Sequence, residues 1–289
     1  MGICDMCPRH CGADRTAGLG VCGAPEVFLV SRVALHLFEE PCLSGERGSG
    51  TIFFGGCNLH CVFCQNRAIS GGDVGEKTDE RALEKHIFHL VEQGAHNINF
   101  VTPTHYTHSL ARLLERIKHR LPVPVVWNSG GYESMEALRS LDGLVDVYLP
   151  DFKYASRELA ARYSYAPDYP EVALAAVEEM YHQRGAVRFD ADGMMINGVM
   201  VRHLVLPACR KDSMAALSLL AERLPVQDVK LSLMSQFTPD FVDAAAYPEL
   251  ARRVTSFEYE SVVRHALSLG FDGYLQDRSS AIKDYTPEF

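Results

Sequence analysis

The sequence predicts an α/β protein whose parallel βα units wrap into a barrel-like sheet, with a short cysteine-rich segment in front. Three observations carry this expectation. From Thr51 onward, short apolar runs alternate with amphipathic helical stretches, strand then helix, about six times. Small polar groups follow the strand runs directly. Seven of the nine cysteines fall in two tight groups within the first 64 residues. The expected division is residues 1–50 as the cysteine-rich segment and 51–289 as the core with a carboxy-terminal tail.

Strand runs are read at 51–54, 97–101, 125–127, 145–149, 199–206, 229–234 and 273–275. Helical patterns lie between them at 79–93, 108–120, 134–140, 170–184, 212–223 and 258–269. In the first helix Leu83, Ile87, Leu90 and Val91 recur with a 3.6-residue period behind a Thr78 cap. The stretch 187–206 departs from the alternation, and Asp192-Gly193 marks a hairpin turn inside it. Thr102-Pro103-Thr104-His105, Asn128-Ser129-Gly130-Gly131, Asp151-Phe152-Lys153, Pro207-Ala208-Cys209-Arg210 and Ser235-Gln236 each follow a strand run. In a β/α barrel such positions converge on one mouth, at the carboxyl ends of the strands.

Composition excludes some classes. The chain has 289 residues, 47% hydrophobic, and a formal net charge of −9, which argues against a phosphate-tracking nucleic-acid binder. No apolar run approaches the ~20 residues of a membrane span, and the start does not read as a signal peptide. A cytoplasmic chain is expected, where thiols stay reduced, so the clustered cysteines read as metal ligands rather than disulfides.

Gly55-Gly56-Cys57-Asn58-Leu59-His60-Cys61-Val62-Phe63-Cys64 holds the central signal. Cysteines at i, i+4 and i+7 also suit one buried helix face, or a single zinc with His60 as fourth ligand. A Gly-Gly start after a strand is a poor helix opening, however. Three thiolates on one short loop bind three irons of a [4Fe–4S] cube and leave the fourth open to a substrate or cofactor. An open iron can chelate the amino and carboxylate groups of S-adenosylmethionine, with Phe63 placed to pack on the adenine.

These residues resemble the radical S-adenosylmethionine superfamily. Over nearly its whole length the chain is similar to the PflX-type branch related to pyruvate formate-lyase activating enzymes. The match runs through Cys4-Asp5-Met6-Cys7-Pro8-Arg9-His10-Cys11-Gly12, Glu40-Pro41-Cys42-Leu43-Ser44-Gly45, Cys64-Gln65-Asn66, residues 97–105 and Trp127-Asn128-Ser129-Gly130-Gly131-Tyr132. The resemblance implies a partial (β/α)6 TIM-like barrel, with the cluster loop after the first strand. It implies cofactor contacts from Thr102, Thr104 and His105, which stand where activating enzymes carry Gly-Gly-Glu, and from Asn128 and Ser129. Asp151 and Lys153 match a kept Asp-x-Lys, and Lys153 is the expected partner of the methionine carboxylate. His203 is the counterpart of a late histidine, although Arg202 and His203 alternate and at most one faces the site. Asp151 and Lys153 also suit a surface ion pair, and His203 a packed sheet residue.

Cys4, Cys7, Cys11 and Cys22 form a complete four-thiolate set, suited to Zn2+ or to a second iron–sulfur cluster. Cys209, at the expected mouth, reads as a hydrogen-atom donor or as a small packed residue. The resemblance further implies a flavodoxin- or ferredoxin-type electron donor and a glycyl-radical enzyme as partner. A small metabolite as target, or a non-catalytic iron–sulfur redox or binding protein, are the competing readings.

Overall fold

A computed structural model of the chain describes residues 4–276; residues 1–3 and the tail 277–289 lie outside the described residues. Ten strands are present among the described residues: β1 Phe28–His36, β2 Ser49–Phe54, β3 Glu76–Thr78, β4 Ile98–Val101, β5 Val125–Ser129, β6 Val147–Pro150, β7 Arg188–Phe189, β8 Met195–Leu204, β9 Lys230–Met234 and β10 Gly273–Leu275. Nine α-helices accompany them among the described residues: α1 Pro41–Ser44, α2 Arg67–Ser70, α3 Glu80–Glu92, α4 Thr107–Ile117, α5 Met135–Arg139, α6 Arg157–Ser164, α7 Tyr169–Arg184, α8 Arg210–Arg223 and α9 Ser256–Ser268.

The sheet order is β10-β9-β8-β6-β5-β4-β2-β1-β3. From β2 to β10 every neighbouring pair is parallel. Strand order thus follows chain order with a helical crossover between successive strands, which is how parallel βα units wind. β2 and β10 are not paired to each other, so the barrel stays open along that side. β1 and β3 extend the β2 edge with antiparallel pairings. The expected hairpin at 187–206 is β7 paired antiparallel to β8, turned at Gly193 with φ 78°.

Two apolar layers result. The larger lies between sheet and helices and holds Phe54, Phe100, Trp127, Tyr148 and Leu217 among others. The smaller fills the bore near the strands' amino ends, where Cys42 and Leu43 of α1 pack with Val126, Val147, Leu149, Met195 and Met200. The segment between β1 and β2 therefore plugs the barrel from below. Residues 28–49 of the amino-terminal segment are built into the sheet and its bore.

Helix starts follow local chemistry. Asp79, not Thr78, caps α3, its side chain accepting from Ala82 N at 2.7 Å. Thr255 and Glu258 form a reciprocal capping box on α9. α6, absent from the sequence reading, is capped by Ser156.

Candidate active site

The loop after β2 is pinned on both flanks before it presents its thiols. Gly55 N donates to Leu29 O at 2.8 Å, and Cys57 N to Cys22 O at 3.0 Å. Gly56 has φ 90°, and a Cβ there would stand 2.6 Å from Cys22 O, so only glycine fits. His60 Nε2 is hydrogen-bonded to Val21 O at 2.7 Å, which ties that ring to the amino-terminal segment. On the other flank Asn58 Nδ2 donates to Tyr132 O at 2.8 Å, and Arg9 Nε to Asn58 O at 2.6 Å.

Cys57, Cys61 and Cys64 all line one cavity of about 120 Å³, together with Gly56, Asn66, Thr102, Ser129, Gly130 and Lys153. Among the described residues no three His, Cys, Asp or Glu side chains are arranged to hold a single metal ion. Three thiols lining one small cavity suit three irons of a cluster. Burial, then the neighbouring Cys57 and Cys61, pushes the Cys64 thiol up to about 12. Burial likewise raises Cys61, against the opposing pull of Lys153. Such thiols ionise only when a strong cation binds them, and metal coordination supplies it.

The small cavity adjoins a larger one of about 530 Å³, whose lining includes Cys61, Phe63, Cys64, Asn128, Asp151, Lys153 and Arg202. A buried ionic network crosses it. Lys153 Nζ is paired with Asp151, and Arg202 Nε donates to Asp151 at 3.1 Å. Arg202 also donates to Asn128 Oδ1 at 2.7 Å and to Glu39 at 3.3 Å. Burial alone would raise the Asp151 carboxyl, but Lys153 and Arg202 hold it below the usual carboxylate range. Burial lowers Lys153, yet Asp151 and Cys61 beside it leave its pKa raised. Both ions stay charged near neutrality. Gly131 (φ 77°) allows the loop after β5 to press on this network: a Cβ there would lie 2.2 Å from Asp151 O.

The expected site residues divide clearly. Phe63, Asn128, Asp151 and Lys153 line the large cavity, and Thr102 and Ser129 the small one. Thr102 takes φ 57°, costly for a β-branched residue, with its N–H on Asn128 O at 2.8 Å. Phe63 packs edge-on to Phe237, centroids 6.3 Å apart.

Four expected residues do not line either cavity. Thr104 Oγ1 donates to the buried Glu133 at 2.6 Å. His105 Nε2 meets Gly55 O at 2.9 Å, and burial with Arg15 pushes its pKa down to about 3. It braces the thiol loop from behind. His203 is fully buried with Nδ1 on Phe152 O at 2.6 Å, and burial pushes it down to about 4. Its neighbour Arg202 takes the inward position, because Met200 two residues earlier already faces the bore. Cys209 precedes α8, buried, with its thiol pushed up to about 11.

Cys4, Cys7, Cys11 and Cys22 are near neighbours. Burial, with Cys22 and Cys4 adding to it, pushes the Cys7 thiol up to about 11, and Cys22 is raised by burial and by Cys4 and Cys11. Sequence reasoning missed Glu39 and Glu40, which line the large cavity from the segment entering the bore. The signal available was two adjacent carboxylates immediately before Pro41, in a stretch that resembles the family.

A partial parallel barrel with three thiols on the loop after its first parallel strand defines the class. The radical SAM superfamily model matches residues 51–189, and the chain belongs to this superfamily. It is 31% identical over 285 residues to an uncharacterized protein of Methanocaldococcus jannaschii, a match covering 93% of this chain and 75% of that one. Among solved structures, methylornithine synthase superposes with a TM-score of 0.51 at 14% identity, over 81% of this chain and 73% of that one. SuiB of Streptococcus suis does so with a TM-score of 0.50 at 11% identity, over 76% and 46%. Both likenesses concern the fold alone.

Proposed function

We propose that this chain is a radical enzyme that cleaves S-adenosylmethionine reductively and abstracts hydrogen from a substrate held in the large cavity. The observation that carries the reading is the arrangement of Cys57, Cys61 and Cys64 around one small cavity that adjoins a charged chamber. Cys57, Cys61 and Cys64 would hold a [4Fe–4S] cluster, which would supply the electron for reductive cleavage of the sulfonium C–S bond to methionine and a 5′-deoxyadenosyl radical. The chain's residues bind and orient. Lys153 keeps ammonium donors beyond the one on Asp151 for the methionine carboxylate. Asp151 fixes the direction of Lys153, and Arg202 with Asn128 fixes Asp151. Phe63 offers an apolar face to the adenine, and Thr102 and Ser129 bring polar atoms to the thiol cavity. Cys4, Cys7, Cys11 and Cys22 hold a second metal, zinc or an iron–sulfur cluster, that fastens the amino-terminal segment to the thiol loop. A flavodoxin- or ferredoxin-type protein delivers the electron.

The plugged floor and the ionic lining favour a substrate of chamber size. A protein glycine is the second reading, favoured by the exposed apolar residues Leu37, Phe38 and Leu275 that also line the chamber. Anaerobic reconstitution, dithionite reduction and chromatography should yield 5′-deoxyadenosine from S-adenosylmethionine; no product from a fully reconstituted cluster would refute the reaction. Mixing the reduced enzyme and cofactor with glycyl-radical enzymes and recording electron paramagnetic resonance spectra separates the two targets. A glycyl doublet selects the second.

A further inference from the structure

The amino-terminal segment grips every residue from Cys57 to His60. Cys57 N donates to Cys22 O, and His60 Nε2 is hydrogen-bonded to Val21 O. Between them, the carbonyls of Asn58 and Leu59 both accept from one side chain, Arg9, at 2.6 and 3.4 Å. The same guanidinium reaches the end of α6, donating to Ser164 O at 3.0 Å and to Tyr165 O. All three of its nitrogens are used, and it lies over the Tyr132 ring at 5.4 Å. The four partners are carbonyls, not carboxylates, so no charge pairing accounts for the arginine. Its planar fork does, because it can hold several fixed oxygens at once.

The three segments that meet here are each held in a costly conformation. His10 beside Arg9 has φ 41°, His60 beside Leu59 has φ 56°, and Tyr165 after Ser164 has φ 53°. Left-handed backbone disfavours any residue with a Cβ, and such residues persist where their surroundings fix them. Three of the five non-glycine residues of this kind among the described residues thus border one guanidinium. The joint lies beside a cluster ligand. Cys61, two residues beyond Leu59, has its Sγ 2.9 Å from Ser164 Oγ. Arg9 binds both sides of the seam that this contact crosses: the loop through Asn58 and Leu59, and α6 through Ser164 and Tyr165. Carbonyls at a helix end lack helical partners, and an arginine can take them.

We propose that Arg9 is a positioning residue of the radical site: it keeps the Ser164 hydroxyl on the Cys61 thiolate and so sets how readily the cluster accepts an electron. This rests on the reaction reading above, in which Cys61 ligates the cluster, and adds a residue that lines neither cavity. Arg9 acts through Ser164. A hydrogen bond weakens steeply once its geometry opens, so loosening the seam removes the bond while the serine stays in the chain. Lysine at this position keeps the charge but not the function. Its ammonium is a single point, unable to hold four carbonyls on two segments.

The test uses the reconstituted full chain, its potential read by titration followed by electron paramagnetic resonance. R9K should shift the reduction equilibrium toward the oxidised cluster by about two- to tenfold, the scale of one hydrogen bond, or ~20–60 mV at ~59 mV per tenfold. In an S164A background R9K should add no further shift, because the hydroxyl it acts through is gone. A wild-type potential in R9K, or an equal shift with and without Ser164, overturns the proposal. R9Q is read in parallel, and the same criterion applies to whichever variant keeps its cluster. Loss of the cluster from both also overturns it, since Arg9 would then build the site rather than tune it. A wild type that takes up no reducible cluster sinks the reaction reading and this one together. 5′-Deoxyadenosine from a wild type whose potential R9K leaves unchanged sinks this one alone.

Discussion

The two cysteine groups lie back to back, joined where Cys57 N donates to Cys22 O, yet they face different surroundings. Cys57, Cys61 and Cys64 surround a cavity, and that cavity adjoins a chamber with Lys153, Asp151 and Arg202 in it. Cys4, Cys7, Cys11 and Cys22 sit among turns, and the one cation felt by Cys22 is Arg15, whose guanidinium is spent on Ala24 O, Pro25 O and His105 O. Three thiols beside binding groups suit chemistry at an open metal position; four thiols among backbone turns suit a closed site that holds a segment in place. The surroundings of the thiols separate the groups more sharply than the number of sulfurs does.

The comparison breaks most severely in the three-thiol loop. Cys57→Ala, Cys61→Ala or Cys64→Ala should each abolish 5′-deoxyadenosine formation, because each removes an iron ligand from a set with no spare. A variant that keeps near-normal turnover with an intact cluster spectrum would remove the basis for the assignment. Cys22→Ala should instead lose the amino-terminal metal and lower the Tm, with the cluster spectrum of the other set still present on the folded fraction. Unchanged metal content and Tm would show that the four thiols do not share a site. Equal loss of both metals would show that the two sites form one unit.

Lys153→Ala sharpens the same contrast from the chamber side. Loss of a charged hydrogen bond to the cofactor carboxylate costs ~1.5–3 kcal/mol, or about ten- to a hundredfold in affinity. Cluster assembly should persist, since Lys153 is not a ligand. The variant also leaves Asp151 with Arg202 as its remaining ionic partner, so an effect at the upper end is expected. An unaltered dissociation constant by titration would mean that Lys153 serves Asp151 alone.

Much of this arrangement was legible because period and position carry it. The parallel strands announced themselves as short apolar runs, and Thr102, Asn128, Ser129, Asp151 and Lys153 were found by where those runs end. Register set the limit. Arg202 and His203 are adjacent on β8, and the alternation from Met200 together with the pairing of Arg202 with Asp151 shows which one points inward. β1 was missed because its nine residues are buried at one end and half-buried along the rest, so they alternate weakly. α6 was missed because a short helix rich in Arg and Glu shows no apolar stripe. Glu39 meets Arg202 across 163 residues of sequence, a contact that no local pattern encodes.

The smallest expected effect separates the groups by tuning rather than by ligation. Cys61 Sγ lies 2.9 Å from Ser164 Oγ, and Ser164 Oγ lies 2.8 Å from the Tyr154 hydroxyl. Ser164 is fully buried, and Arg9 from the amino-terminal segment holds its carbonyl at 3.0 Å. Once Cys61 is a metal-bound thiolate, it accepts, so Ser164 must donate to sulfur and accept from Tyr154. A hydrogen bond to a cluster sulfur stabilises the more negative, reduced state and raises the potential. Ser164→Ala should therefore make the cluster harder to reduce. A net hydrogen bond of ~0.5–1.5 kcal/mol corresponds to ~20–60 mV for one electron, on the scale of ~59 mV per tenfold. Ser164→Thr keeps the hydroxyl and should restore most of the shift, while Tyr154→Phe should move the potential the same way by less. Potentiometric titration followed by electron paramagnetic resonance reads all three. A wild-type potential in Ser164→Ala would leave the serine as packing alone, and with it the one hydroxyl that reaches a cluster sulfur from α6.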